Sequence, residues 1–371
     1  MQFRDLRTQY QTLKPQIDHA IQTVLSEGNF IMGYQVTELE QTLAEYVGVK
    51  DCITCANGTD ALSLVLMAWD IKAGDAVFIP DFTFFATGEV VSLIGATPIF
   101  VDVDPDTFSI NPVKLEEAIK VTLSEARYQP KAIIPVDLFG LPANYPKIKR
   151  IAQKYDLLIL EDGAQGFGGM LEGRRACSFG HAATTSFFPA KPLGCYGDGG
   201  AIFTDNEELA KKIRSIRLHG KSGSRYDNIR IGMNSRLDTI QAAILQVKFQ
   251  ALIDYELEKV NRIACAYTKK LKDIVKTPTI PEGYYSSWAQ YTIQLDNKEQ
   301  RDSLQERMKE QGIPTMIYYP KPMHRQLAFA GLNFLKGKFS VTESLCDKVL
   351  SLPIHPYLEE SAIAQICEKV W

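Results

Sequence analysis

Long apolar runs are missing from this 371-residue sequence, and no stretch approaches the roughly 18 consecutive apolar residues of a membrane-spanning helix. The opening segment MQFRDLRTQYQTLKPQ carries charge throughout and has no apolar core of a secretory signal. A cytoplasmic protein without a membrane segment is therefore expected. An excess of one charge is missing too: 41 Lys and Arg face 44 Asp and Glu, so no global field attracts a nucleic-acid backbone. Cysteine is sparse, with seven scattered residues (Cys52, Cys55, Cys177, Cys195, Cys265, Cys346 and Cys367), an odd set that argues against a disulfide framework. Cys52 and Cys55 form the only C-x-x-C. Neither the other cysteines nor the five histidines supply a second ligand pair at metal spacing, so no metal site is expected. The pair lies inside the apolar run DCITCA, which points to two buried strand cysteines and not a redox motif. Internal repeats and low-complexity segments are absent. No G-x-x-x-x-G-K-[ST] occurs, and GCYGDGG (194–200) does not fit G-x-G-x-x-G, which weighs against nucleotide hydrolysis and dinucleotide-dependent hydride transfer.

What is present is the composition of a soluble globular protein, 45% apolar and 23% charged. At about 150 residues per domain the length allows two or three domains, enough to bury a sizeable core. Seven short apolar runs are spaced along the chain: CITCAN (52–57), AVFIP (76–80), TPIFVDV (97–103), KAIIPVDLFG (131–140), LLILED (157–162), ATTSFF (183–188) and GAIFTD (200–205). Helical stretches such as ALSLVLMAWD (61–70) and YPKIKRIAQKY (145–155) separate them. Continuous apolar strands between helices predict a parallel sheet covered on both faces, an α/β architecture. After Asp205 helical periodicity dominates, in 208–218 and from about 237 to 274. The rest offers a strand candidate at 288–295 and helix candidates at 305–314 and 343–353. The expected division is a large α/β domain with an N-terminal arm over 1–250 and a smaller α+β domain over 251–371.

Ligands of open parallel sheets bind beyond the carboxyl ends of the strands. Three groups of polar residues stand there. Asn57-Gly58-Thr59-Asp60 joins a strand to a helix; its backbone N–H groups suit a phosphate, although Thr59 or Asp60 could equally be a simple helix cap. Glu161-Asp162-Gly163-Ala164-Gln165 follows LLIL and puts a carboxylate at the sheet edge, as a cofactor partner, a metal ligand or half of an ion pair. Ser186-Phe187-Phe188-Pro189-Ala190-Lys191 ends a strand on a lysine, where desolvation would free the amine as a nucleophile. An amine for a Schiff base, a carboxylate for a pyridinium nitrogen and a phosphate cup together make the protein equipment of pyridoxal phosphate chemistry.

The segments ANGTDAL (56–62), PDFTFFAT (80–87), EDGAQGFG (161–168), SFFPAKPLGCYGDGGAIFTD (186–205), RLHG (217–220) and GMNSRLDTIQAAIL (232–245) resemble the DegT/StrS-type sugar aminotransferases. The likeness runs from GNFIMG (28–33) to LPIHPYL (352–358). It is strongest to members that convert UDP-2-acetamido-3-keto-glucuronate to its 3-amino product in O-antigen assembly, which share CANGTDAL and SFFP-x-KPLGCYGDGGAIFT. The resemblance implies the fold type I aminotransferase architecture, pyridoxal 5'-phosphate as cofactor, glutamate as amino donor and a nucleotide-linked keto-sugar as acceptor. It implies a homodimer with shared active sites. By the same carry-over Lys191 would hold the cofactor, Asp162 the pyridinium nitrogen and Gln165 the ring hydroxyl. Phe84 would stack on the ring. Gly58, Thr59 and Ser186 would hold the phosphate, with Asn234 reaching in from the second subunit. Tyr318 and Tyr319 stand where relatives have His-Tyr, leaving the sugar contact of the histidine open. Arg236 would read a sugar carboxylate or form an ion pair with Asp238. A dehydratase would have histidine in place of Lys191. Another keto-sugar, a non-catalytic regulatory relative and an amino-acid aminotransferase remain alternatives.

Overall fold

Apolar runs too short for helices and flanked by turn residues become the strands of one seven-stranded sheet. In chain order they are β1 (Asp51–Cys55), β2 (Asp75–Pro80), β3 (Thr97–Val101), β4 (Gln129–Ile133), β5 (Leu158–Asp162), β6 (Ala182–Ser186) and β7 (Gly200–Thr204). The structure, a computed structural model, describes residues 1–222, 226–332 and 338–370. The strands lie in the order β1-β7-β6-β5-β4-β2-β3. All pairings from β3 across to β6 are parallel. Only β7 runs against its neighbours, antiparallel to both β6 and β1, because 187–199 carries no helix to bring the chain back for a parallel return. The sheet is thus mainly parallel.

Helices cover both faces, as the continuous apolar strands require. On one, α3 (Gly58–Ala68), α4 (Ala86–Leu93) and α7 (Glu207–Ile216) pack on Ile53, Val77, Ile79, Leu160 and Ile202. On the other, α5 (Pro112–Glu125) and α6 (Tyr145–Tyr155) cover Phe78, Ile133 and Ile159. There α2 (Tyr34–Val47) and α8 (Thr239–Ala251) cover Cys52, Ala183 and Phe203. Ahead of them the expected N-terminal arm contains a helix, α1 (Leu6–Glu27), which lies on α8 through Leu13, Ile17, Ile244 and Ala251.

A π-turn (Leu252–Glu256) joins α8 to α9 (Leu257–Leu271), which leads to a second layer. Here β8 (Tyr291–Gln294) pairs antiparallel with β9 (Val349–Leu352), between α10 (Lys298–Glu310), α11 (Ser340–Lys348) and α12 (Glu360–Val370). Their core draws on residues from Val260 to Val370. Two expectations need correction. The helix expected at 305–314 starts earlier, at Lys298, where Asn297 caps it by accepting from the Gln300 N–H at 2.9 Å. The helix expected at 343–353 stops at Lys348, and VLSL is a strand buried on both faces. A short apolar run reads alike as buried helix or buried strand, and here Ser351 meets Thr292 across the pair at 2.8 Å. Cys52 and Cys55 are buried, unbridged strand residues. Among the described residues no His, Cys, Asp or Glu cluster could hold a metal, and no helix is long and apolar enough to cross a membrane.

Candidate active site

Topology brings the three polar groups to one edge. Because β7 is antiparallel, its first residue Gly200 lies opposite the last residues of two neighbours, Cys55 of β1 and Ser186 of β6. Beyond Cys55 the chain turns into α3. Asn57 caps that helix, its Oδ1 accepting from the Asp60 N–H at 2.8 Å, so neither Thr59 nor Asp60 is the cap. The N–H groups of Gly58 and Thr59 in the first turn have no partner within the helix and sit at its positive end. Gly58 is pressed on Ser186, where an added Cβ would lie 2.8 Å from the Ser186 Cβ. The Ser186 Oγ accepts from the Phe188 N–H at 3.2 Å, which leaves its own proton to donate. Two backbone donors and a hydroxyl converge in a cup that only a residue without a side chain allows.

On β5, next to β6, Asp162 is 5% exposed. Its Oδ2 accepts from the Thr87 hydroxyl at 2.9 Å and its Oδ1 from the Ala164 N–H at 3.2 Å. Burial pushes its pKa up against these hydrogen bonds and the nearby charge of Lys191. Lys191 shows the complement: burial lowers its pKa, Asp162 raises it and Arg4 lowers it again. The buried carboxylate and the lysine amine thus favour one another's charged forms against burial. Gln165 is buried, its Oε1 accepting from the Phe139 N–H at 2.8 Å and its Nε2 donating to the Tyr319 hydroxyl at 3.1 Å. One Gln165 N–H is left over. Phe84 keeps an exposed ring, with its centroid 6.4 Å from that of Tyr319. Tyr318 is half-buried, with the rings of Phe3 and Tyr319 at 6.2 and 5.7 Å.

Among the described residues no hydrogen bond or ion pair joins Asn234 or Arg236 to Asp162, Gln165, Ser186 or Lys191. Asn234 is exposed and bridges to Leu218 through its backbone, while the Ser235 Oγ next to it accepts from the Ala56 N–H at 3.1 Å. Arg236 is half-buried and, among the described residues, has no ion-pair partner, so the pair with Asp238 does not form. Among the described residues Glu161 belongs to no metal-binding cluster and forms no ion pair either. It turns to the opposite side of β5 and accepts from the backbone N–H groups of Cys177, of Phe179 at 2.6 Å and of Gly180 at 3.3 Å. Sequence reasoning missed Thr87 and Arg4. Thr87 stands in the PDFTFFAT segment but is 75 residues from the aspartate it holds, and Arg4 donates to the Lys191 carbonyl at 3.0 Å across 187 residues.

A profile of the DegT/DnrJ/EryC1/StrS aminotransferase family matches residues 11–371. The chain belongs to that family. Among DegT/DnrJ/EryC1/StrS relatives it is 46% identical over 368 residues to the UDP-2-acetamido-2-deoxy-3-oxo-D-glucuronate aminotransferase of Pseudomonas aeruginosa, spanning 99% of this chain and 98% of that one. It is 43% identical to a "pleiotropic regulatory protein" of Geobacillus stearothermophilus, over 99% of this chain and 96% of that one. A crystal structure of a family aminotransferase from Brucella abortus superposes with a TM-score of 0.97 at 51% identity, covering 100% of this chain and 98% of that one. Bacillus subtilis NtdA, solved with the bound cofactor PMP, superposes with a TM-score of 0.87 at 31% identity, over 97% of this chain and 81% of that one. The fold is that of the fold type I aminotransferases.

Proposed function

We propose that this aminotransferase moves an amino group from glutamate to the 3-keto carbon of UDP-2-acetamido-2-deoxy-3-oxo-glucuronate, for O-antigen or another surface polysaccharide. The observation that carries the reading is the buried Asp162 at the end of β5, electrostatically coupled to the amine of Lys191 in the turn beyond β6, beside the Gly58–Ser186 cup. The full-length likeness to an enzyme named for that substrate supports the choice of sugar. The cofactor is pyridoxal 5'-phosphate, and the residues fit it: a cup closed to any Cβ, a buried carboxylate short of a cation, a desolvated lysine and a free amide N–H converge on one edge. When bound, the cofactor supplies an electron sink for the carbon that loses its proton.

The chain does the rest. Gly58, Thr59 and Ser186 hold the phosphate by two backbone N–H groups and a hydroxyl. Asp162, fixed by Thr87 and Ala164, would hold the protonated ring nitrogen, a cation that would offset the desolvation of the buried carboxylate. Gln165 turns its spare N–H to the ring hydroxyl, and Phe84 covers the ring face. Lys191 would hold the cofactor through its amine, and the same amine would serve as the base and acid that moves the substrate proton. Arg236, without an ion-pair partner among the described residues, takes the carboxylate of the uronate. Tyr318 and Tyr319 line the sugar side. Each site of a homodimer is completed by Asn234 of the other chain, consistent with its exposure here. A cytoplasmic location goes with this reading, since a nucleotide-linked sugar and glutamate are charged and do not cross membranes unaided. Residues 1–250 then form the cofactor-binding domain and 251–371 the smaller one, supported by the separate core of residues 260–370.

The test is mass spectrometry of products from UDP- and dTDP-linked 3- and 4-keto-sugars with glutamate. The reading expects amination of the UDP-linked 3-keto-uronate first, with Arg236→Met raising KM for it and sparing neutral sugars. A preference for a neutral sugar would replace the substrate. The name of the Geobacillus relative favours a second reading, a regulator that binds cofactor without turnover; release of an aminated product by the purified protein would exclude it.

A further inference from the structure

The N-terminal arm reaches into the site. Arg4 stands just before α1, and its Nη2 donates to the Lys191 carbonyl at 3.0 Å. That carbonyl belongs to a tight turn: the Lys191 N–H donates to the Phe188 carbonyl at 2.9 Å, and a Cβ on Gly194 would come within 2.5 Å of the Pro189 oxygen. The arm is itself fixed. Asp5 caps α1 by accepting from the Thr8 N–H at 2.9 Å, Gln9 donates to both Glu256 oxygens at 2.9 and 3.1 Å, and the Phe3 ring meets Tyr318. The buried face of α1 locks this start onto α8.

We propose that Arg4 is a positioning residue for Lys191: its guanidinium pins the backbone of the lysine turn and keeps a permanent cation at that turn. This rests on the reading above in which Lys191 carries the cofactor. A guanidinium suits both tasks, because it never loses its proton and its fork can donate to the carbonyl while other N–H groups turn to an acid. The charged groups around it are Glu256, which favours its charge, and Lys191, Lys248 and His355, whose protonated forms it disfavours. Asp5 also faces His355. Lys191 itself is faced by Asp162, which favours its protonated form, and by Arg4, which opposes it. Removing Arg4 takes away one of the two influences that oppose Asp162, burial being the other, so less of the amine is neutral at a given pH.

The apoprotein gives a readout independent of turnover. Trace acetylation with acetic anhydride between pH 6 and 10, read by peptide mass spectrometry, compares Lys191 with the exposed Lys298 in the parent, Arg4→Gln and Arg4→Lys proteins. At pH 8 Arg4→Gln should label Lys191 about threefold more slowly than the parent, as expected when a nearby like charge is lost. Arg4→Lys, which keeps the charge, should stay near the parent. Capture of added pyridoxal phosphate by the apoprotein should slow in both variants, since neither has the fork. An unchanged labelling profile in Arg4→Gln, or parental capture rates in both variants, overturns the proposal, with melting curves confirming that each variant folds. If borohydride fixes no pyridoxyl group on Lys191 in the parent, the underlying reading fails and this inference falls with it. If the parent is labelled there and only the Arg4 effects are missing, Arg4 alone is ruled out.

Discussion

Replacing Gly58 by alanine isolates the phosphate cup. The added Cβ would lie 2.8 Å from the Ser186 Cβ and 3.3 Å from its Cα and Oγ, against an ordinary contact of about 3.5–4.0 Å. Ser186 is a strand end in register with Gly200, which is itself pressed on the Asn57 carbonyl, so none of the three can step aside alone. The first turn of α3 must therefore draw back from β6, and the donors on its two sides can no longer both reach one phosphate. Losing one hydrogen bond to a charged group costs about 1.5–3 kcal/mol. At 1.4 kcal/mol per factor of ten, that weakens cofactor binding by about 10- to 150-fold. Equilibrium titration of the apoprotein with pyridoxal phosphate, followed by absorbance, measures the change. Gly48→Ala is the control: at φ +82° with open space around it, it should lower stability by about 1–2 kcal/mol and leave cofactor affinity alone. A Gly58→Ala dissociation constant within about twofold of the parent would refute the cup.

Three further outcomes are expected. Asp162→Asn preserves the shape of the side chain but not its charge, so turnover should drop on the order of 100-fold or more while cofactor affinity changes far less; steady-state rates within a few-fold of the parent would remove Asp162 from its role. Lys191→Ala and Asn234→Asp, each nearly inactive alone, should regain up to about a quarter of full activity when refolded together, because in a mixed dimer one site collects both defects and the other neither. No recovery in mixed dimers verified by mass would mean that one chain supplies both residues to a site. Burial pushes the His355 pKa down to about 4, below the roughly 6.5 of an unfolded chain, so its stability contribution is present above pH 6.5 and lost as the pH falls toward 4. About 2 kcal/mol should be gone by pH 5; the drop in Tm between pH 7.5 and 5 should shrink in His355→Asn, and an equal drop in both proteins would assign the effect elsewhere.

Most of the seven strands were legible because a buried strand such as DAVFIP or GAIFT is an apolar run between turn residues, whereas β4 (QPKAI) starts two residues before its expected run and is buried only at Ala132 and Ile133; the segments after the strands pointed to Gly58, Asp162, Ser186 and Lys191. Direction was less legible. That β7 runs antiparallel depends on the absence of a crossover helix in 187–199, which apolar runs do not reveal. Helix α1 was missed because its apolar residues are few, with Leu13, Ile17 and Val24 as its buried aliphatic anchors. At VLSL the side chains pack on both sides, so a strand carried no alternation to set it apart from the end of a helix. The contacts of Thr87 with Asp162 and of Arg4 with Lys191 join segments far apart in sequence, and no local pattern encodes them. For Arg236 the sequence allows a ligand role or an ion pair; the fold removes the ion pair, leaving a half-buried guanidinium without an acid partner among the described residues.

The central claim is that Lys191 is the lysine that takes the cofactor. Its rival within the chain is Lys248, 2% exposed over the Tyr196 ring and pushed down to about 8 by burial, a second amine that is partly neutral near physiological pH. Reduction of the yellow, cofactor-loaded protein with borohydride followed by peptide mapping decides between them. A pyridoxyl group on Lys191 alone is the predicted result. A label on Lys248 or any other lysine, or a protein that never takes up the cofactor, would contradict the account.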